Sequence, residues 1–204
     1  MQKRNIFVFI LAGLLTVLAG EFQVNVLVSH KGIGAYIATL VLYIFFLLLV
    51  YVLNTFLERN ISSQKIDVVY YFVGGICGLA VEWLIGNAPW VHNGAIQSGM
   101  FAWWGSIFLI PRIFTTPIDP VVTSARHRIV ISVLLYSIVS TLIIAFLPQS
   151  IRAGIAAILL TIGYITINFQ FVPYLTRNGF ATKSMRIVMW ILALAAIGGV
   201  LIPG

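Results

Sequence analysis

Seven long apolar stretches, separated by short polar segments, restrict what this chain can fold into. They cover approximately residues 6–28, 34–57, 68–85, 95–113, 129–147, 153–174 and 187–202. A helix needs about 20 predominantly apolar residues to cross about 30 Å of hydrocarbon. Because lipid offers no hydrogen-bond partner to the backbone, such stretches cross a membrane as helices. The sequence therefore predicts an all-α integral membrane protein, a bundle of seven transmembrane helices.

The composition supports the same class of protein. Of the 204 residues, 61% are hydrophobic and 8% are charged, which leaves too few polar side chains to cover a globule in water. No repeat, linker or low-complexity tract interrupts the pattern, so we expect a single polytopic transmembrane domain over residues 1–204. Apolar character resumes after Glu21, which favours a retained first helix over a cleaved leader.

The distribution of positive charge predicts the orientation. Counted on alternate sides of the predicted helices, 10 of the 12 Lys and Arg residues fall on one side and 2 on the other. The first group is Lys3, Arg4, Arg59, Lys65, Arg112, Arg126, Arg128, Arg177, Lys183 and Arg186; the second is Lys31 and Arg152. Because cytoplasmic loops retain positive charge, the N-terminus is predicted in the cytoplasm and the C-terminus outside. We expect a multi-pass protein of the cell (inner or plasma) membrane.

Several classes of partner and cofactor are not indicated. The net charge of +7 comes from short loops between the apolar stretches rather than from an aromatic-interleaved basic face, so no nucleic-acid partner is expected. The single cysteine, Cys77, excludes an internal disulfide and a cysteine cluster. The three histidines lie in or beside loops, and we predict no metal site. The pattern identifies no cofactor.

A break separates the third and fourth apolar stretches. The run Gly86-Asn87-Ala88-Pro89 cannot continue a regular helix, and we predict a helix break at 86–94. Interrupted helices expose helix ends and backbone groups, and membrane transporters build solute sites from them.

Polar residues from distant parts of the chain fall at one depth beside this break. An ionisable side chain inside an apolar span is costly and is read by default as functional. The predicted substrate-binding residues are Glu21 and Asn25 in the first stretch, Glu82 in the third, and Trp90, His92, Asn93 and Gln97 in the link and the start of the fourth. We expect them around a pocket that opens to the extracytoplasmic side. The alternative is that both glutamates only hold helices together.

Helical spacing predicts which side chains face inward. Gly74, Gly78 and Glu82 recur at four-residue steps, so they share a face on which small residues allow close approach of another helix. The adjacent Trp103 and Trp104 are predicted to divide between a neighbouring helix and lipid. Two polar stripes are predicted to make interhelical hydrogen bonds. They are Ser132, Tyr136 and Ser140 in the fifth stretch, and Thr161, Tyr164 and Asn168 in the sixth.

Three functions fit this pattern. The first is a small-solute transporter or substrate-binding membrane subunit, acting as a homo-oligomer or within a larger membrane complex. The second is an intramembrane enzyme for acyl transfer or hydrolysis of a lipid or lipid-linked substrate at the outer leaflet, with Glu21 or Glu82 as general base and His92 as acid. The third is an accessory subunit of a membrane complex. Whether the chain is an enzyme is left open by the sequence.

Overall fold

The computed structural model describes residues 5–61, 65–86, 94–177 and 182–201, and nearly all of them are helical. The helices are α1 (Ile6–Phe22), α2 (Gly32–Asn60), α3 (Ile66–Val81), α4 (Gly94–Thr115), α5 (Pro120–Phe146), α6 (Gln149–Phe169), the short α7 (Val172–Thr176) and α8 (Thr182–Leu201). Two continue as π-helix, α1 through Gln23–Val28 and α3 through Glu82–Gly86. The all-α prediction is confirmed.

Within the described ranges, five segments are long and apolar enough to cross a membrane. They are Ile6–Val28, Gly32–Arg59, Ile66–Leu84, Pro120–Phe146 and Gln149–Thr176. Large apolar side chains stand exposed on their outer faces, for example Leu42 and Leu49 on α2 and Phe146 at the end of α5. Water would penalise such a surface, whereas lipid tails solvate it. These are the features of a helical membrane protein.

Helix α4 lies at the centre of the bundle. It contacts α1, α3, α5, α6 and α8, and every residue from Ala102 to Ile113 is buried. Its closest partner is α3, because Gly74 packs beneath Phe108 and Gly78 beneath Trp104. The absence of a Cβ at these positions lets the two helices approach. The predicted packing role of the Gly74 and Gly78 face is confirmed.

The central position of α4 corrects one prediction. Trp103 and Trp104 are 5% and 6% exposed, so neither indole faces lipid. Adjacent residues on a helix point about 100° apart, and only a helix with neighbours on nearly all sides can bury both. Trp103 meets Tyr164 of α6, while Trp104 meets Phe46 of α2.

The start of α5 also differs from the prediction. The helix begins at Pro120, nine residues before the predicted 129. The Asp119 side chain accepts a hydrogen bond from the backbone N–H of Val122 at 2.8 Å, and proline suits the first helical position. Arg126 and Arg128 therefore belong to the helix rather than to a loop. Arg126 donates to the carbonyl of Ile113 at 3.0 Å and so caps the end of α4.

Both predicted polar stripes face the interior. The Gln23 side-chain amide donates to Ser140 Oγ at 2.7 Å and accepts from the Tyr136 hydroxyl at 3.2 Å. On α6, the Asn168 amide donates to Ser106 Oγ of α4 at 3.1 Å, and the Tyr164 hydroxyl donates to a carbonyl of α1. The predicted interhelical hydrogen bonds are confirmed for Tyr136, Ser140, Tyr164 and Asn168.

The basic side chains that the structure describes fall into two groups. The α1–α2 connection is short, with His30 at φ 51° and Gly32 at φ 85° forming a tight turn. At this end of the bundle, Arg152 donates to the carbonyls of Leu27 at 2.9 Å and Leu147 at 2.7 Å. Arg112, Arg126 and the other basic side chains of the larger group that are described lie at the opposite end. The structure thus keeps the predicted separation of positive charge.

Candidate functional site

A cavity of about 400 Å³ opens among α1, α2, α3, α4 and α6, at the end of the bundle that carries Lys31. One wall is polar. Its polar lining consists of Glu21, Gln23, Asn25, Ser29, Lys31, Thr39 and Glu82. The volume falls within the range of about 300–1,000 Å³ typical of small-molecule pockets.

Glu21 is held rigidly at the edge of this cavity. Its side chain is 8% exposed, and Oε1 accepts a hydrogen bond from the Tyr43 hydroxyl at 2.9 Å. Oε2 accepts one from the Asn25 side-chain amide at 3.0 Å, and the same amide also donates to the Glu21 carbonyl at 3.1 Å. The carboxyl group thus has a defined position and keeps acceptor positions beyond these two bonds.

Glu82 reaches the same cavity from α3. It begins the π-helical segment Glu82–Gly86, and Glu21 lies two residues before the π-helical segment Gln23–Val28. Both carboxyl groups are among the side chains that line the cavity. A π-helical turn shifts side chains out of regular helical phase and occurs often at functional sites. The structure therefore brings together Glu21 and Glu82 from separate helices. That they bind a substrate stays a prediction.

The remaining predicted site residues divide into three groups. Asn25 lines the cavity beside Glu21. Gln97 lies on the first turn of α4, half-buried, and does not contribute to the described lining. Trp90, His92 and Asn93 fall outside the described residues, as does most of the predicted break at 86–94. On either side of that segment, the helices end at Gly86 and begin at Gly94.

The second wall of the cavity is apolar and was not predicted. Helix α4 supplies Ile96, Met100 and Trp103, while α6 supplies Ala153, Ala156, Ala157 and Leu160. The alanines recur at steps of three and four residues, so one face of α6 is nearly flat. That spacing was the available signal in the sequence. The cavity exists because small side chains stand where larger ones would fill the space.

A second polar cluster, at the opposite end of the bundle, was also missed. Arg112 is 4% exposed and donates to Asp67 Oδ1 at 2.5 Å and to Glu58 Oε1 at 2.8 Å. It also donates to the Asn54 side chain, and its guanidinium lies 5.6 Å from the Tyr70 ring centroid. We call these five residues the Arg112 cluster. The sequence analysis counts Arg112 only as part of the charge asymmetry. The available signal was that Glu58, Asp67 and Arg112 all lie at stretch ends on the same predicted side of the membrane.

Among the described ranges, no three histidine, cysteine or carboxylate side chains come together as they would around a metal ion. No protein-family model, curated protein or solved structure matches this chain. The helices and the exposed apolar surface define its class. It is a multi-pass helical membrane protein, with a cavity of mixed polar and apolar lining inside one end of the bundle.

Proposed function

We propose that this protein is a transporter, or a substrate-binding membrane subunit, for a small solute that occupies the cavity beside Glu21 and Glu82. One observation carries the proposal. Two carboxyl groups from separate helices line a single cavity of about 400 Å³, Glu82 at the start of one π-helical segment and Glu21 two residues before the other. Buried carboxyl groups in a membrane protein are expensive and mark solute or ion pathways.

The shape of the cavity favours binding over chemistry. In its polar wall, Tyr43 and Asn25 fix the Glu21 carboxyl group through hydrogen bonds. The other wall is made of apolar side chains such as Met100 and Leu160. Solute sites combine a few placed polar groups with an apolar lining. Hydrolysis or acyl transfer would need an activated nucleophile and an oxyanion site. An intramembrane enzyme is therefore the second candidate function, and the assays must distinguish it from a transporter.

We further propose seven spans in the cell membrane, with the N-terminus in the cytoplasm. Helices α4 and α8 then cross the membrane with the five apolar segments, and the antiparallel order places Lys31 and Arg152 outside. The cavity opens at that end, so it faces the extracytoplasmic side. The asymmetry in positive charge supports this orientation.

The orientation gives a labelling prediction. In a Cys77→Ser background, a cysteine replacing the exposed Gln149 should react with a membrane-impermeant maleimide in intact cells. A cysteine replacing Ile118, which is 78% exposed at the opposite end, should react only after permeabilisation. A tag after Gly204 should be accessible from outside. The reverse labelling pattern would show that the proposed orientation is wrong. A tag accessible only from inside, with the other labels as expected, would show that the chain crosses the membrane an even number of times rather than seven.

The proposed function predicts solute binding that depends on the volume of the cavity. Ala157→Leu adds a side chain to the apolar wall without changing any charge. We expect a solute that stabilises the purified protein against heat, and proteoliposome uptake of that solute if the chain transports without a partner. The affinity for the solute should fall at least about tenfold in Ala157→Leu and in Glu82→Gln, since each substitution removes more than about 1.4 kcal/mol of binding free energy. Stabilisation and uptake at a fixed solute concentration should decrease with the affinity.

The matched control is Ala38→Leu, the same substitution at an exposed position on α2 outside the cavity lining. Binding without uptake identifies a substrate-binding subunit. Solute binding that is insensitive to Ala157→Leu would contradict the proposal. A chemically altered lipid, produced by the native protein but not by Glu82→Gln, would identify an enzyme instead.

A further inference from the structure

We infer that the solute is a small organic amine, with a protonated nitrogen at the polar wall of the cavity and an apolar body against α4 and α6. This inference rests on the proposed function, because it names the chemical class that the same cavity takes. It is carried by the charges of the polar wall, the chemistry of the opposite wall and the volume between them.

The polar wall favours a cation. Glu21 and Glu82 contribute two carboxyl groups, and Lys31 contributes the one ammonium group among the described lining residues. Glu21 is 8% exposed, so water compensates little of its charge. An ammonium group donates up to three N–H bonds, and charge-assisted bonds to carboxylates are about twice as strong as neutral ones. A solute carboxylate placed there would be repelled.

The opposite wall favours a carbon skeleton over a bare metal ion. Met100, Ala156 and Ala157 offer no oxygen ligands, whereas a dehydrated Mg²⁺ or Ca²⁺ needs about six to eight. Trp103 is 5% exposed and lies in this wall, where its ring also meets Tyr164 of α6. The face of an indole ring attracts a cation.

The size of the cavity limits the body of the amine. A volume of about 400 Å³ lies near the lower end of the range for small-molecule sites, about 300–1,000 Å³. The flat alanine face of α6 supplies much of this space. A compact amine with one apolar group fits, and its two ends match the two walls.

The test uses matched probes of one shape and different charge. The first set is 2-phenylethylammonium, 2-phenylethanol and phenylacetate; the second is n-butylammonium, n-butanol and butyrate. Binding of each to the full chain in nanodiscs is measured by calorimetry at pH 7, with empty nanodiscs subtracted for partition into lipid. We expect at least one amine to bind at least about tenfold more tightly than its neutral and anionic counterparts, the effect of one charge-assisted hydrogen bond.

Two variants locate the binding site. Glu82→Gln should weaken the binding of the amine at least about tenfold, because it removes the charge and keeps the shape. Asp119→Asn is the matched control, since it removes a carboxylate at the opposite end of the bundle and keeps a side chain that can cap α5. If Glu82→Gln does not fold, Ala157→Leu serves instead and should also abolish binding of the amine.

Each other result overturns the inference. If alcohols or carboxylates bind as tightly as the amines and lose this binding in Ala157→Leu, the cavity binds a solute of another chemical class. In that case the inference fails and the proposed function stands. Amine binding that survives both Glu82→Gln and Ala157→Leu would lie outside the cavity. If neither amine shows binding that depends on Ala157, the inference fails, and the proposed function is decided separately by solute binding and uptake in the Ala157→Leu and Ala38→Leu variants.

Discussion

Replacing Arg112 by methionine is expected to lower the free energy of unfolding by about 3–5 kcal/mol, the usual cost of breaking a buried ion pair by removing one partner. Asp67 is 2% exposed and accepts from Arg112 Nε, while Glu58 accepts from Nη1. Without the guanidinium group, the buried Asp67 carboxylate loses the positive charge that compensates its desolvation. The measurement is reversible unfolding in mixed micelles of SDS and a mild detergent, followed by circular dichroism.

Arg177→Met is the matched control for Arg112→Met. Arg177 donates to Asp119 at 2.8 Å, but the two side chains are 23% and 45% exposed. Water screens this pair, and its loss should cost at most about 1 kcal/mol. The double variant Arg112→Met/Asp67→Leu should recover part of the lost stability, because it removes the orphaned carboxylate as well. Equal effects of Arg112→Met and Arg177→Met would show that the Arg112 cluster is not a buried ionic contact.

Replacing Gly78 by alanine is expected to destabilise the bundle by about 1–3 kcal/mol or more, the cost of overpacking a well-filled interior. A Cβ at Gly78 would overlap the ring and Cβ of Trp104. Trp104 is 6% exposed between α2, α3 and α4, so it has little room to move aside. Helices α3 and α4 would have to separate. Thermal unfolding in detergent measures the loss.

Gly154→Ala is the control for this substitution. Gly154 lies inside α6, and a Cβ there would have no heavy atom within 4 Å. Alanine in a helix interior is favoured over glycine by about 0.5–1 kcal/mol, so this variant should be neutral or slightly more stable. If Gly78→Ala were as mild as Gly154→Ala, α3 and α4 would not be in the close contact described here.

Part of the candidate site follows from local sequence signals. The positions of Glu21 and Glu82 within their apolar stretches predict their depth, and the Lys and Arg asymmetry predicts the side of the membrane. The four-residue spacing of Gly74, Gly78 and Glu82 predicts an inward face. These signals need no knowledge of how distant helices pack, because depth and helical phase are properties of one helix at a time.

The partners of these residues could not be predicted in the same way. Tyr43 reaches Glu21 from α2, and the cavity-lining alanines of α6 lie more than 130 residues after Glu21 in the sequence. Which helices become neighbours depends on crossing angles and on the fit of many side chains. The same limit applies to the Arg112 cluster, in which α2, α3 and α4 each supply a member.

The sequence by itself determined that this chain forms long apolar helices with positive charge gathered at one end and carboxyl groups buried near the other. Only the tertiary structure decided that α4 is surrounded, that Trp103 and Trp104 are both buried, and that Glu21 and Glu82 share one cavity. The physical reason is that lipid tails are as apolar as a protein core. Hydropathy therefore shows that a side chain lies in an apolar environment, but not whether its neighbours are lipid tails or another helix.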